Sequence, residues 1–262
     1  MNPFALVSPS SRGLSLALTR HLLGTTALPV YATHRSPSPV AMKDLILKPL
    51  RDVDPDRLQL LNLELTSEPS ISSAAESLAD MLPSGSYLQT AFFTGGVLYP
   101  EKRPADLDVA QLTSTFQVNV ISHLLIIKHF SRFLPSASMP KHDHELDGPQ
   151  IAKWVHVSAR VGSISDNSLG GWYSYRSSKA ALNQVVKTFD LQLQMNNARA
   201  MCVGVHPGTV KTDLSKDFWK SAVNNQLFDP VEAAKKLVDV VADLKLDQRG
   251  KIWDWAGKQV PW

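Results

Sequence analysis

Cysteine is almost missing: Cys202 stands alone among 262 residues. A single thiol rules out an intrachain disulfide and a cysteine-based zinc cluster, and it points to a reducing compartment, the cytoplasm. It lies in the apolar run Met201-Cys202-Val203-Gly204-Val205, where core packing is the expected role rather than a reactive thiol. Charge of one sign is scarce as well. The 27 basic side chains barely outnumber the 24 acidic ones, the excess of +3 is scattered, and no DNA-reading motif is present, so no nucleic-acid partner is expected. No stretch approaches the ~20 apolar residues of a membrane helix, so no membrane association is expected. The opening Asn2-Pro3-Phe4-Ala5-Leu6-Val7 reads as a strand rather than a signal peptide. With 44% hydrophobic and 19% charged residues, the chain has enough apolar surface to repay the entropy of ordering, which excludes general disorder.

What the sequence does contain is alternation. Short apolar runs at 3–8, 28–33, 57–63, 87–93, 151–158, 199–206 and 251–255 read as strands. Segments of helical period lie between them: Gly13 to Leu23, a stretch before Pro49, 70–82, a long helix at 106–134, 173–195 and 230–243. Apolar runs of this length separated by helices predict parallel strands buried on both faces. The fold class is α/β, a single-domain doubly wound parallel sheet of about seven strands with helices on both faces. Right-handed crossovers then put every strand-to-helix loop at the carboxyl edge, so function is sought after Val7, Ala32, Leu63, Phe93, Val157 and Val205. Residues 135–150 interrupt the pattern with proline, serine and charge and read as a surface excursion. His142, Asp143, His144 and Glu145 within it read as a solvated loop, and no metal site is expected.

The segment most informative about chemistry is Trp172-Tyr173-Ser174-Tyr175-Arg176-Ser177-Ser178-Lys179. On a helix Tyr175 and Lys179 share a face, which brings a phenol near an ammonium. A neighbouring cation favours phenolate, lowering the tyrosine pKa toward the working pH so that the hydroxyl can exchange a proton. The pair opens the helix that follows a buried strand ending at Val157-Ser158, so it belongs to the edge where the loops converge.

Together with Phe116-Gln117-Val118-Asn119, Ser158-Ala159-Arg160-Val161-Gly162-Ser163, His206-Pro207-Gly208-Thr209-Val210-Lys211-Thr212 and Leu63-Glu64-Leu65-Thr66, this segment resembles the short-chain dehydrogenase/reductase family. The resemblance runs from about Phe4 to Pro261-Trp262. Ser163-Ile164-Ser165-Asp166-Asn167, Gly170-Gly171-Trp172-Tyr173 and the stretch from Gly250 to Trp262 are most similar to its sniffer-like carbonyl reductase branch. The resemblance implies hydride transfer between a nicotinamide and a carbonyl carbon. It makes Tyr175 the proton donor, and Lys179 the group that lowers its pKa and binds the nicotinamide ribose. Asn119 continues the relay to solvent, its helix backbone distorting to hold a water linked to the lysine. Pro207, Gly208, Val210 and Thr212 close on the nicotinamide, and Glu64 lies near the adenine ring.

The chain departs from the family pattern in three places. The usual serine register falls on Ala159, leaving Ser158 as the expected carbonyl-polarising donor and Ser163 as the reserve. The phosphate loop reads Ser8-Pro9-Ser10-Ser11-Arg12-Gly13-Leu14-Ser15, keeping only the middle glycine. Glycines there permit positive φ and close approach to a pyrophosphate; Ser8, Ser10 and Ser11 offer hydroxyls in compensation, and Gly13-Leu14 keeps the helix entry. After the fourth strand, Phe93-Thr94-Gly95-Gly96 replaces an asparagine pair, with Thr94, Gly95 and Gly96 expected to line the cofactor.

Cofactor choice rests on charge. The second strand ends Ala32-Thr33-His34-Arg35-Ser36 with no carboxylate, and Arg12 adds a second cation, so NADP(H) is expected over NAD(H). Residues 213–228 are expected to form a substrate flap with Phe218 and Trp219 as apolar walls, and Trp172 and Tyr173 to line the same pocket or simply to pack. The substrate is expected to be a small carbonyl compound, and the chain a homodimer or homotetramer built on the helices at 106–134 and 173–195. Two rival readings stand beside the reductase: a catalytically weakened relative that acts through binding, which Pro9, Ser15 and Ala159 favour, and a sugar epimerase or dehydratase, which usually has a larger C-terminal substrate region.

Overall fold

The computed structural model describes residues 2–137, 151–221 and 227–262. From the amino end, β1 (Asn2–Ser8), α1 (Gly13–Thr25), β2 (Val30–His34), α2 (Pro39–Leu47), β3 (Leu58–Asn62) and α3 (Glu68–Met81) build one half. The other half holds β4 (Ser86–Phe93), α4 (Val109–Phe116), α5 (Ser122–Phe130), β5 (Ala152–Val157), α6 (Tyr173–Met195) and β6 (Ala200–His206). The short β7 (Thr209–Val210) and β8 (Leu227–Phe228), then α7 (Pro230–Asp243), β9 (Ile252–Asp254) and β10 (Gln259–Val260) complete it.

Eight strands form one sheet in the order β10-β9-β6-β5-β4-β1-β2-β3. All neighbours are parallel except β10, which runs antiparallel to β9. The chain steps outward from β1 through β3 and then returns to build the other side from β4, so a topological switch point lies between β1 and β4. Ligands of such sheets bind in the crevice at that point.

The strand sequences account for the two layers. Phe4 and Leu6 face one side with Phe93 and Trp154, under Ile71, Ile126 and Val186 of α3, α5 and α6. Ala5 and Val7 face the other with Val155 and Val203, under Leu18, Ile46 and Leu237 of α1, α2 and α7. Alternate side chains meet opposite helix layers, which is why these strands read as continuous apolar runs.

Three elements differ from the sequence reading. The helix 70–82 begins two residues earlier because Ser67 caps it, accepting from Ser70 N, with Pro69 in the first turn. The single helix expected over 106–134 is α4 and α5 joined by a π turn at Gln117–Ile121, and a 3-10 turn closes it at Ser131–Phe133. The sheet gains the two-residue β10, and β7 pairs with β8 in a separate small sheet; strands this short carry no periodic signal. Of the expected surface excursion, and of the residues imagined there as ligands, 138–150 lie outside the described residues.

Candidate active site

Tyr175 and Lys179 meet the crevice from the first turns of α6, both buried, at 8% and 3% exposure. Lys179 Nζ donates to the carbonyl of Val157, the last residue of β5, at 3.0 Å, and lies 5.7 Å from the centroid of the Tyr175 ring. Two local features fix the start of this helix. Arg176 donates through Nε to the carbonyls of Gly170 and Gly171 and through Nη1 to that of Val161, tying the preceding loop to α6. Gly162 lets the turn after β5 lie directly on the helix, since a Cβ there would sit 2.8 Å from the Lys179 carbonyl carbon.

Burial acts on both groups against charge. It pushes the Tyr175 phenol up to about 12 and the Lys179 ammonium down to about 8. Burial is the one cause of the Tyr175 shift, so in the protein alone the phenol holds its proton at neutral pH.

Asn119 occupies the π turn, fully buried. Its Oδ1 accepts from Val97 N at 2.8 Å, and its Nδ2 donates to Val97 O and to Ser178 Oγ, each at 3.0 Å. The side chain thus clamps the loop after β4 to α6. A Cβ on Gly96 would lie 3.6 Å from Lys179 Nζ and 3.7 Å from Asn119 Oδ1, so this loop is the wall facing the lysine.

In the loop after β1, Ser8 and Ser10 are turned inward. Thr33 Oγ1 donates to Ser8 Oγ at 2.8 Å, and Ser10 Oγ donates to Val7 O at 2.8 Å; the hydroxyls brace the loop rather than the ligand side. Gly13, with φ of +54°, opens α1 after Arg12, leaving the first amides of the helix, including that of Leu14, without intrahelical acceptors. A Cβ on Gly13 would come within 2.9 Å of Thr212 Cγ2, which brings the segment after the Pro-Gly turn over this helix end. Ser15, which stands where the family pattern has a glycine, brings its Oγ to 2.7 Å from Thr94 Oγ1. Two departures from the family pattern therefore satisfy each other.

At the far end of the crevice, Arg35 Nη1 meets Glu64 Oε2 at 2.9 Å. Burial raises the Glu64 carboxyl, but hydrogen bonds from Arg35 and Thr66 and the arginine charge outweigh it, leaving the pKa lowered. The end of β2 lacks a carboxylate in sequence, yet β3 delivers one in space. Arg12 is exposed, 3.9 Å from Asp213.

Pro207 and Gly208 turn the chain from β6 into β7, where Val210 is buried. Trp172 packs at a tilt against Phe218, with ring centroids 4.6 Å apart and planes at 59°, and stands 6.2 Å from the ring of Tyr175. Trp219 is half exposed and donates to Ser215 Oγ at 3.0 Å. Residues 222–226 of the expected flap lie outside the described residues.

Ser158, the expected carbonyl-polarising donor, is buried against α6, where its hydroxyl donates to Asn183 Oδ1 at 2.6 Å. Ser163 Oγ donates to the backbone oxygen of Trp262 at 3.1 Å and accepts from Asp166 N. The position of Ser158 follows from strand alternation, since it continues the face of Trp154 and His156, which α6 covers. The sequence reading missed Glu101, whose buried carboxylate accepts from the Ser174 hydroxyl while its carbonyl accepts from Trp172 N at 2.6 Å. This holds Trp172 in its left-handed conformation beside Tyr175, and no sequence pattern marks the role.

The family model for short chain dehydrogenases matches residues 3–222. The chain belongs to this family. A solved structure of an NADPH-bound carbonyl reductase from chicken fatty liver is 26% identical and superposes with a TM-score of 0.80, covering 100% of this chain and 96% of that one. The carbonyl reductase Sniffer of Drosophila melanogaster shares the fold at 22% identity, with a TM-score of 0.81 and both chains covered fully. Among curated proteins, the 1-hydroxy-2-glutathionyl-2-methyl-3-butene dehydrogenase of Rhodococcus sp. (strain AD45) is 28% identical over 200 residues, 76% of this chain and 78% of that protein. This short-chain dehydrogenase is an NAD(P)-dependent oxidoreductase with the fold of the carbonyl reductases. Among the described residues no helix is long and apolar enough to cross a membrane.

Proposed function

We propose that the chain reduces a small ketone or aldehyde with NADPH, with Tyr175 as the proton donor. The observation that carries the reading is the buried Tyr175–Lys179 pair on the first turns of α6, against the carboxyl end of β5 and beside the glycine loop after β4.

The cradle suits a dinucleotide: backbone without side chains at Gly13 and Gly96 borders an open helix N-terminus. The amides of Gly13 and Leu14 would meet the pyrophosphate, and Arg12 and Arg35 the 2′-phosphate. Glu64, Thr94 and Gly95 border the adenosine side. Pro207, Gly208, Val210 and Thr212 close over the nicotinamide, and Lys179 takes its ribose. Ser8 and Ser10 support the loop from within.

Bound NADPH supplies the hydride. Tyr175 then needs only to hold and deliver one proton to the carbonyl oxygen, and the burial that keeps its phenol protonated suits that direction of reaction. Lys179 stabilises the phenolate left behind and passes a proton back to it. Asn119 fixes the geometry through its bonds to Val97 and Ser178, and it continues the proton relay toward solvent. Ser158 acts through Asn183 as a support for α6, so polarisation of the carbonyl falls to Tyr175. Trp172 and Phe218 form an apolar aromatic wall, which favours an aromatic or otherwise apolar carbonyl compound; residues 213–228 are its flap. Exposed Ile121, Leu124, Leu191 and Met195 on the π turn, α5 and α6 support a homodimer or homotetramer, and the lone buried Cys202 suits the cytoplasm.

The test is NADPH binding by fluorescence, then a carbonyl panel on the parent and Tyr175→Phe. Retained binding with kcat lowered roughly 10²–10⁴-fold supports the role. Equal turnover by the variant overturns it, and cofactor binding without turnover in the parent favours the binding-protein reading.

A further inference from the structure

Beneath the loop after β4 lies a chain of buried polar groups that the proposed reduction leaves unused. Trp154 and His156 are two apart on β5 and share the face covered by α5 and α6. His123 comes from α5, one helical turn beyond Asn119. Trp154 Nε1 donates to His156 Nε2 at 2.9 Å, the Nδ1 atoms of His156 and His123 are 2.8 Å apart, and His123 Nε2 is 3.0 Å from the Gly95 carbonyl oxygen.

Only one arrangement of protons satisfies every contact with both rings neutral. The indole N–H can only donate, so His156 Nε2 accepts and its proton is on Nδ1. His123 Nδ1 must then accept, which leaves the His123 proton on Nε2, facing Gly95. Burial, reinforced by the charge of Lys179 and opposed by the Gly95 hydrogen bond, pushes His123 down to about 3. Burial, His123 and Lys179 likewise hold His156 well below its ordinary value.

Gly95 is where this chain meets the site. The next residue, Gly96, faces Lys179 Nζ, and Val97 is held through both backbone groups by Asn119. We propose that His123 and His156 form a tautomer-locked bridge from β5 that positions the Gly95–Val97 segment against Lys179 and the dinucleotide. Both act through Gly95 and are positioning residues. The inference rests on the reading of this edge as the NADPH site.

Nitrogen-15 NMR of the parent reads the bridge directly: His156 protonated on Nδ1 and His123 on Nε2 is the expected result, and both rings protonated on Nε2 overturns the proposal. Two variants separate positioning from packing. His123→Leu removes the donor to Gly95, whereas His123→Gln keeps an amide donor within reach of it. Both are expected to lower Tm. His123→Leu should also raise the NADPH Kd and KM about tenfold with little change in kcat, and speed amide exchange at Gly96 and Val97. His123→Gln should keep both near the parent values. A folded His123→Leu with parental Kd and amide protection overturns the proposal; if it does not fold, His123→Gln and the tautomers decide. A parent that fails to bind NADPH refutes the cofactor reading, while the tautomers and loop amides still decide the bridge.

Discussion

Arg35 and Glu64 pair at 2.9 Å across the ends of β2 and β3, so the cation nominated for a 2′-phosphate is already held by a carboxylate. The pair sets a competition between a phosphate and Glu64 for one guanidinium, with the arginine 70% exposed.

Glu64→Gln should therefore strengthen NADPH binding relative to NADH, and Arg35→Ala should weaken it. Exposed charge pairs are worth about 1 kcal/mol or less, so selectivity shifts of roughly threefold to fivefold are expected. Titration of both cofactors against parent and variants checks this; a Glu64→Gln variant that shifts toward NADH refutes it.

Lys179 should cost the free protein stability. Its folded pKa, about 8 against 10.5 in the ordinary case, means that the unfolded chain binds the extra proton between those values. The penalty is full below about pH 8 and is relieved as pH rises toward 10.5. Tyr175 works in the opposite sense above pH 10, since its folded pKa of about 12 keeps a proton that the unfolded chain releases. Lys179→Met should thus stabilise the cofactor-free protein at pH 7, by up to about 3 kcal/mol, while abolishing activity. Denaturant unfolding at pH 7 tests this, and an unchanged or lower stability refutes it.

Gly162→Ala places a methyl against the α6 backbone, 2.8 Å from the Lys179 carbonyl carbon. Neither backbone can yield without moving Lys179, so a loss of about 1–3 kcal/mol is expected, together with reduced kcat. Parental Tm and kcat in this variant would show that the turn after β5 relaxes freely.

Acid should act on the buried histidine pair. His123 titrates near 3 in the fold and 6.5 outside it, so the unfolded state binds more protons between those values and stability falls as pH drops below 6.5. His123→Gln should flatten that part of the curve. Identical slopes for parent and variant between pH 6 and 4, read by denaturant midpoints, would contradict the neutral assignment.

The Tyr175 and Lys179 relationship was legible because it is local: a spacing of four on a helix needs only helical geometry to bring two side chains to one face. Asn119 and a backbone distortion at it were legible through the family motif, whereas apolar periodicity alone showed one unbroken helix, because an inserted residue leaves that periodicity almost intact. The face of Ser158 was legible from strand register, but its bond to Asn183 was not, because register does not say which residue of the covering helix it meets. His123 and His156 carried no signal, since each is unremarkable in its own segment and acquires meaning only from the other.

The alternation of apolar runs and helical periods determined the doubly wound sheet and the edge at which its loops gather, and helical spacing determined that Tyr175 and Lys179 share a face, all through short-range geometry. Tertiary structure alone decided that Arg35 meets Glu64, that the Ser158 hydroxyl turns to Asn183, that Tyr175 keeps its proton and that two imidazoles support Gly95. These depend on which segments approach one another and on how much water their approach removes, and both quantities arise only when distant elements pack.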